Sequence, residues 1–432
     1  MPRILPVMDG PDGAIAVGAD PSSDRRVVRR DLDLRIAIGG VSVSLAFIAA
    51  TPIAIVLGGP TWTALHLLLA GAAGSAIAAM MPFFVAALSA APPVRPSYRI
   101  APIAALAVGA TAVAVAVPAG WRAVSLLGAG LYLVGLLGLL AVTASPLRRA
   151  LAIRYRIVVA GYLVALAYVT VGVSLALALL HGFAPVVAHW PLLKPAHAWL
   201  NLVGFVGIVV AATYVHLMPT VLGARIVEGR LPRVAIGGLA AGVALASAGF
   251  ALGSDVVVRV AAVIALAGSI AVPASVLAAI RQPGRGRWTT SLGWHRFVSW
   301  SMVASAAWFT VGIGGAALLV VVHGASPAAW SLAAVGVPLV VGGVLQAIVA
   351  AATHLRPTGA AVDVANRSRA RLGRAAWSRV VGYQLATAAL WLAVAWPPAA
   401  AARPLAAVLL AIVLTVALVP LAVGLAERVR QT

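Results

Sequence analysis

The chain is 432 residues long, 62% of them hydrophobic and 9% charged, with a mean hydropathy of +1.05. Water-soluble domains carry about a quarter charged residues, so a soluble globular domain is excluded and a membrane protein is implied. The absence of cysteine excludes disulfides, thiolate metal sites and iron–sulfur clusters, and the net charge of +21 is left to be explained by its distribution.

Residues 1–33 contain no apolar stretch of the signal-peptide kind and read as a flexible cytoplasmic tail rich in Asp, Gly and Pro. Within it, the stretch Asp24 to Arg30 could lie on an anionic inner leaflet or be solvated. A helix needs ~20 apolar residues to cross the hydrocarbon of a bilayer. Twelve such runs follow, at roughly 34–57, 61–91, 99–119, 123–145, 156–181, 196–223, 233–253, 257–280, 297–323, 329–354, 376–397 and 404–426. Their apolarity is continuous rather than alternating, which favours helices over barrel strands. With the N-terminus in the cytoplasm, 27 of the 31 Lys and Arg residues fall on the cytoplasmic side, leaving Arg122, Lys194, Arg259 and Arg403 outside. This asymmetry orients the chain in a cytoplasmic membrane with both termini inside. The basicity thus implies a bilayer as partner and no nucleic acid. Trp62, Trp121, Trp190, Trp199, Trp330 and Trp396 fall at the outer boundary, and Trp288, Trp294 and Trp377 at the inner one. The longest inner connection, Arg356 to Arg374, reads as a solvated loop.

Pro82, Pro219 and Pro357 lie 137 and 138 residues apart, each closing a long apolar run. His216-Leu217-Met218-Pro219-Thr220 is echoed by His354-Leu355-Arg356-Pro357-Thr358. The spacing predicts an all-α integral membrane domain over residues 34–428, twelve helices in three pseudo-repeats at roughly 34–150, 151–290 and 291–428.

All ten acidic residues fall in the tail, in loops or at span ends, with Asp255 and Glu427 nearest the hydrocarbon. A proton-coupled carrier keeps a carboxylate inside its bundle, so that mechanism is disfavoured along with carboxylate-based hydrolysis. Histidine becomes the main candidate ligand. His66 sits about a turn inside the outer end of the second span, and His197 opens the sixth. His181, His189 and His323 are also on the outer side, whereas His216, His295 and His354 are on the inner side. Haem or copper sites are one reason to keep an imidazole in a membrane; the plainer alternative is a hydrogen bond to a helix carbonyl or a lipid headgroup. For His216 and His354 the expected role is structural: the proline three residues on stops the helix, and the imidazole caps freed carbonyls. Met80, Met81 and Met218 could be soft copper ligands but are expected to pack. Gln346 is expected to link helices.

The segment His66 to Pro82, with Gly71 and Gly74, and the segment His197 to Pro219, with Asn201, Gly204 and Tyr214, resemble the second and sixth helices of the haem–copper oxidase catalytic subunit. Gly342-Gly343-Val344-Leu345-Gln346 to Pro357 resembles the tenth helix without its histidines. A closer resemblance is to bacterial oxidase-like membrane domains, some fused to cupredoxin modules of copper nitrite reductases. It rests on Leu65 to Ala72, Leu200 to Gly207 and Pro219 to Leu222. The NnrS group is more distantly similar. The resemblance implies twelve helices in three arcs, haem b or copper as cofactor, and a cupredoxin or cytochrome as partner.

The departures bear on function. The seventh span has no histidine, and the only one in the tenth is His354, at the inner end. The binuclear centre of an oxygen reductase therefore cannot be assembled. His66 with His197 or His323 is the remaining candidate ligand set for haem or copper. The expected function is a haem or copper binder tied to nitrogen-oxide or copper metabolism, not an oxygen reductase. A small-molecule or metal permease and a ligand-free scaffold for a redox partner are the rivals.

Overall fold

The computed structural model describes residues 21–92, 94–150, 152–227, 229–282, 293–357, 362–396 and 402–429. Among these residues the regular structure is helical throughout. The first twenty residues of the expected tail, and Arg285, Arg287 and Trp288, lie outside the described residues.

Ten helices are long and apolar enough to cross a membrane, so this is a multi-pass membrane protein. They are α1 (Pro21–Val56), α2 (Thr61–Leu88), α3 (Pro96–Ala116), α4 (Arg122–Arg149), α5 (Arg156–His181), α6 (Ala184–Leu222), α7 (Arg230–Ala251), α8 (Asp255–Ile280), α9 (Trp294–His323) and α10 (Pro327–Leu355). A short α11 (Val362–Leu372) follows, then α12 (Ala376–Ala395) and α13 (Ala402–Val429) where the last two spans are expected. The ten do not include α12, whose apolarity Arg379, Tyr383 and Gln384 dilute; α13 carries an apolar stretch at Pro404–Val416.

Two segments differ from expectation. Helix α1 begins at Pro21, so residues 21–33 are helical rather than part of a tail. Asp33 is buried in an ion pair with Arg99 of α3. The connection after Arg356 is also not wholly a loop. Helix α11 tucks Ala365 and Leu372 inward, with Asp363 in its first turn and Arg369 and Arg371 in its last, charges that suit the helix dipole.

Three helices form the centre. In the most apolar stretches of α2, α6 and α10, 67%, 83% and 72% of residues are buried, against 22–44% for the other seven. Each of the three carries a π-helical segment, Leu67–Ala73, Trp199–Gly207 and Val337–Leu345. The segment of α2 touches those of both α6 and α10. Around them the packing recurs. The three segments lie against α1 and α3, against α5 and α7, and against α9 and α12, in that order. The pairs α3–α4, α7–α8 and α12–α13 pack as neighbours, and α4–α5, α8–α9 and α13–α1 join one group to the next.

A π turn widens the helix and leaves carbonyls off the usual ladder, and buried carbonyls need donors. Neighbouring helices supply them. Tyr132 of α4 donates to Ala70 O at 3.2 Å, Tyr383 of α12 to Val341 O at 2.9 Å, and Ser305 of α9 to Gly343 O at 2.5 Å. The approach is close enough to require glycine at 342, where a Cβ would come within 2.5 Å of the Trp308 indole.

The prolines do not all stop their helices. The helices continue past Pro82 to Leu88 and past Pro219 to Leu222; only Pro357 follows a helix end. A proline within a helix withholds its N–H from the carbonyl four residues back, and side chains bond the carbonyl next to that one. Arg99 donates to Ala79 O, three residues before Pro82, and Thr220 Oγ1 donates to His216 O, three before Pro219, at 3.2 Å. The His216 imidazole is therefore not an end cap. It donates Nδ1–H to Ala212 O at 3.0 Å within the same helix.

Candidate functional site

The ends of α2 and α6 away from the arginine-rich loops carry the two histidines singled out in the sequence. At the start of α2, His66 donates Nδ1–H to Trp62 O one turn earlier, at 2.8 Å. Its ring lies on the Trp62 indole, with centroids 3.7 Å apart and planes 25° off parallel. Thr63 holds this turn against α3 by donating to Ala114 O at 3.3 Å.

His197 lies two residues before the π segment of α6, where Pro191 and Pro195 deny the preceding turns part of their N–H complement. It donates Nδ1–H to Gly172 O of α5 at 2.9 Å. Asn201, one turn on, donates Nδ2–H to the His197 carbonyl at 2.7 Å and packs over Gly172, where a Cβ would collide with it. Trp190 stands 5.8 Å from the imidazole, centroid to centroid.

A carbonyl can only accept, so Nδ1 carries the proton in both residues and Nε2 presents a lone pair; at His197 this leaves Asn201 Nδ2, 3.1 Å from Nδ1, to donate to the His197 carbonyl instead. Both rings are half-buried, and the π segments that adjoin them pack against each other. A neutral imidazole held by a hydrogen bond from its second nitrogen is the usual form of a metal-ligating histidine.

The other histidines are elsewhere. His323 is exposed at the end of α9, and among the described contacts none joins it to His66 or His197. His181 and His189 are exposed. His216 is buried edge-on to Phe84, with ring centroids 4.7 Å apart and its Nε2 without a partner. His354 and His295 flank Trp294 at the arginine-rich face, with centroids 5.5 and 4.2 Å from that ring. Gln346 is buried in α10 with neither amide atom engaged, so no helix-linking bond is made.

Gly172 and Trp62 could not be assigned to the site from sequence alone, although His197 and Asn201 at i and i+4 were a readable signal.

An apolar cavity of about 140 Å³ lies between α1, α2, α6, α10 and α13, toward the arginine-rich face. Neither His66 nor His197 lines it. The donor set is two imidazoles, since no group of three or more His, Cys, Asp or Glu occurs among the described residues. Imidazole suits copper, and a cuprous ion is content with two nitrogens. The two imidazoles thus offer a pair of neutral nitrogen ligands. No protein-family model matches the chain, and no curated protein is similar to it.

Proposed function

We infer that this multi-pass membrane protein has the oxidase-like plan of twelve spans in three units of four, and that it binds one copper ion between His66 and His197. The observation that carries the site is the pair of lone-pair-bearing Nε2 atoms on adjacent central helices, each fixed by an Nδ1–H to carbonyl bond. The threefold plan is supported by the three π segments and by the packing that recurs around them. The role is copper handling or electron transfer tied to copper or nitrogen-oxide metabolism, with a cupredoxin or cytochrome as exchange partner. Reduction of oxygen is not part of it, because α7 has no histidine and the only one in α10 is at the arginine-rich end.

Copper titration of purified protein under ascorbate, in competition with a cuprous chelator, tests this reading. One equivalent should bind, and His66→Ala or His197→Ala should each abolish it, while His323→Ala leaves it intact. One equivalent retained in the H66A/H197A double variant would overturn the assignment. A Soret band in protein purified from its membrane would replace copper by haem.

A further inference from the structure

The apolar cavity has no part in the histidine site, and its wall is informative. Met80 and Met81 of α2, Met302 of α9, Phe84, Leu217 and Ile348 supply most of its character. The polar atoms in the wall are already engaged. Ser42 donates to Ile38 O at 3.1 Å, the hydroxyls of Tyr162 and Thr213 bond each other at 3.0 Å, and Tyr214 donates to Met302 O at 3.0 Å. The interior therefore selects for hydrocarbon. Its volume of about 140 Å³ is room enough for an alkyl segment. Thioether side chains let such a wall adapt to an irregular occupant.

One lining residue is charged. Arg356, directly after α10, borders the cavity at its arginine-rich end and donates Nη1–H to Leu421 O of α13 at 2.9 Å. That bond bridges two helices and holds a guanidinium at the end of a hydrocarbon-lined space. Guanidinium pairs well with carboxylate and phosphate.

The geometry points to a binding site for an anionic amphiphile, with an alkyl segment in the cavity and the acid group at Arg356. A free fatty acid and an acyl chain of an anionic phospholipid share this chemistry, and the test separates them.

Protein in phosphatidylcholine nanodiscs is photolabelled with palmitate carrying a terminal diazirine. Separate samples receive phosphatidylglycerol with the same group on one acyl chain, or diazirine-bearing hexadecanol. Labelled peptides are mapped by mass spectrometry. Labelling is expected at Met80 to Phe84 and Thr213 to Leu217, at least fivefold weaker with hexadecanol and in Arg356→Gln. Filling the cavity by Ala347→Phe should remove it while the melting temperature is retained; Ala351→Phe replaces that variant if it fails to fold. Labelling by palmitate alone identifies a free acid, and by phosphatidylglycerol alone a leaflet lipid. Equal labelling by hexadecanol, persistence in the filled variant, or no labelling of these peptides overturns the proposal.

Discussion

Arg99 of α3 and Asp33 of α1 form an ion pair buried from solvent, with Arg99 only 2% exposed. The same guanidinium donates to the Asp33 carbonyl at 3.2 Å and to Ala79 O of α2, so one side chain ties three helices together. Removing one partner of a buried pair strands the other charge and costs about 3–5 kcal/mol. Asp33→Ala should lower the melting temperature in detergent sharply, and D33L/R99M should recover much of the loss. A D33A protein that melts like wild type would show that the pair does not clamp the helices.

Tyr383 supplies the donor that the π segment of α10 needs at Val341 O. Tyr383→Phe keeps the ring but leaves that buried carbonyl short of a partner, at a cost of about 1–3 kcal/mol. Thermal unfolding followed by tryptophan fluorescence would measure it, and a shift no larger than that of an exposed Tyr98→Phe control would contradict the role.

Gly342 faces the Trp308 indole too closely for any side chain. Gly342→Ala should therefore destabilise by about 1–3 kcal/mol through overpacking. Combined with Trp308→Leu the cost should shrink, a favourable coupling readable from a double-mutant cycle. Simple additivity would mean that the indole is not what forbids the methyl group.

Gly172 offers the carbonyl that fixes His197 and the space that Asn201 occupies. At the proposed copper site, Gly172→Ala would crowd Asn201 and disturb the seat of His197, and should weaken binding about 10–100-fold without changing its stoichiometry. Unchanged affinity in the chelator competition would place His197's orientation under other control.

Composition alone was enough to place this chain in a membrane, and continuous apolar runs located the ten spanning helices. His66 and His197 stood out in the sequence because an imidazole is rare in such runs. The π segments were not legible: Leu67–Ala73 and Val337–Leu345 contain the same small and branched residues as the α-helical stretches beside them. Asp33 was read as the end of a flexible tail, whereas it lies in α1, since it follows Arg29 and Arg30 and its partner Arg99 lies 66 residues away.

Transfer of a segment into lipid depends on its own side chains summed over one helix, so the sequence determined by itself that the chain spans a membrane many times. Which polar atoms meet depends on how each helix is rotated and how closely it approaches its neighbours. That is set by packing across the whole bundle. Only the tertiary structure could therefore pair Arg99 with Asp33, give His197 the Gly172 carbonyl, and hold Arg356 at the end of the apolar cavity.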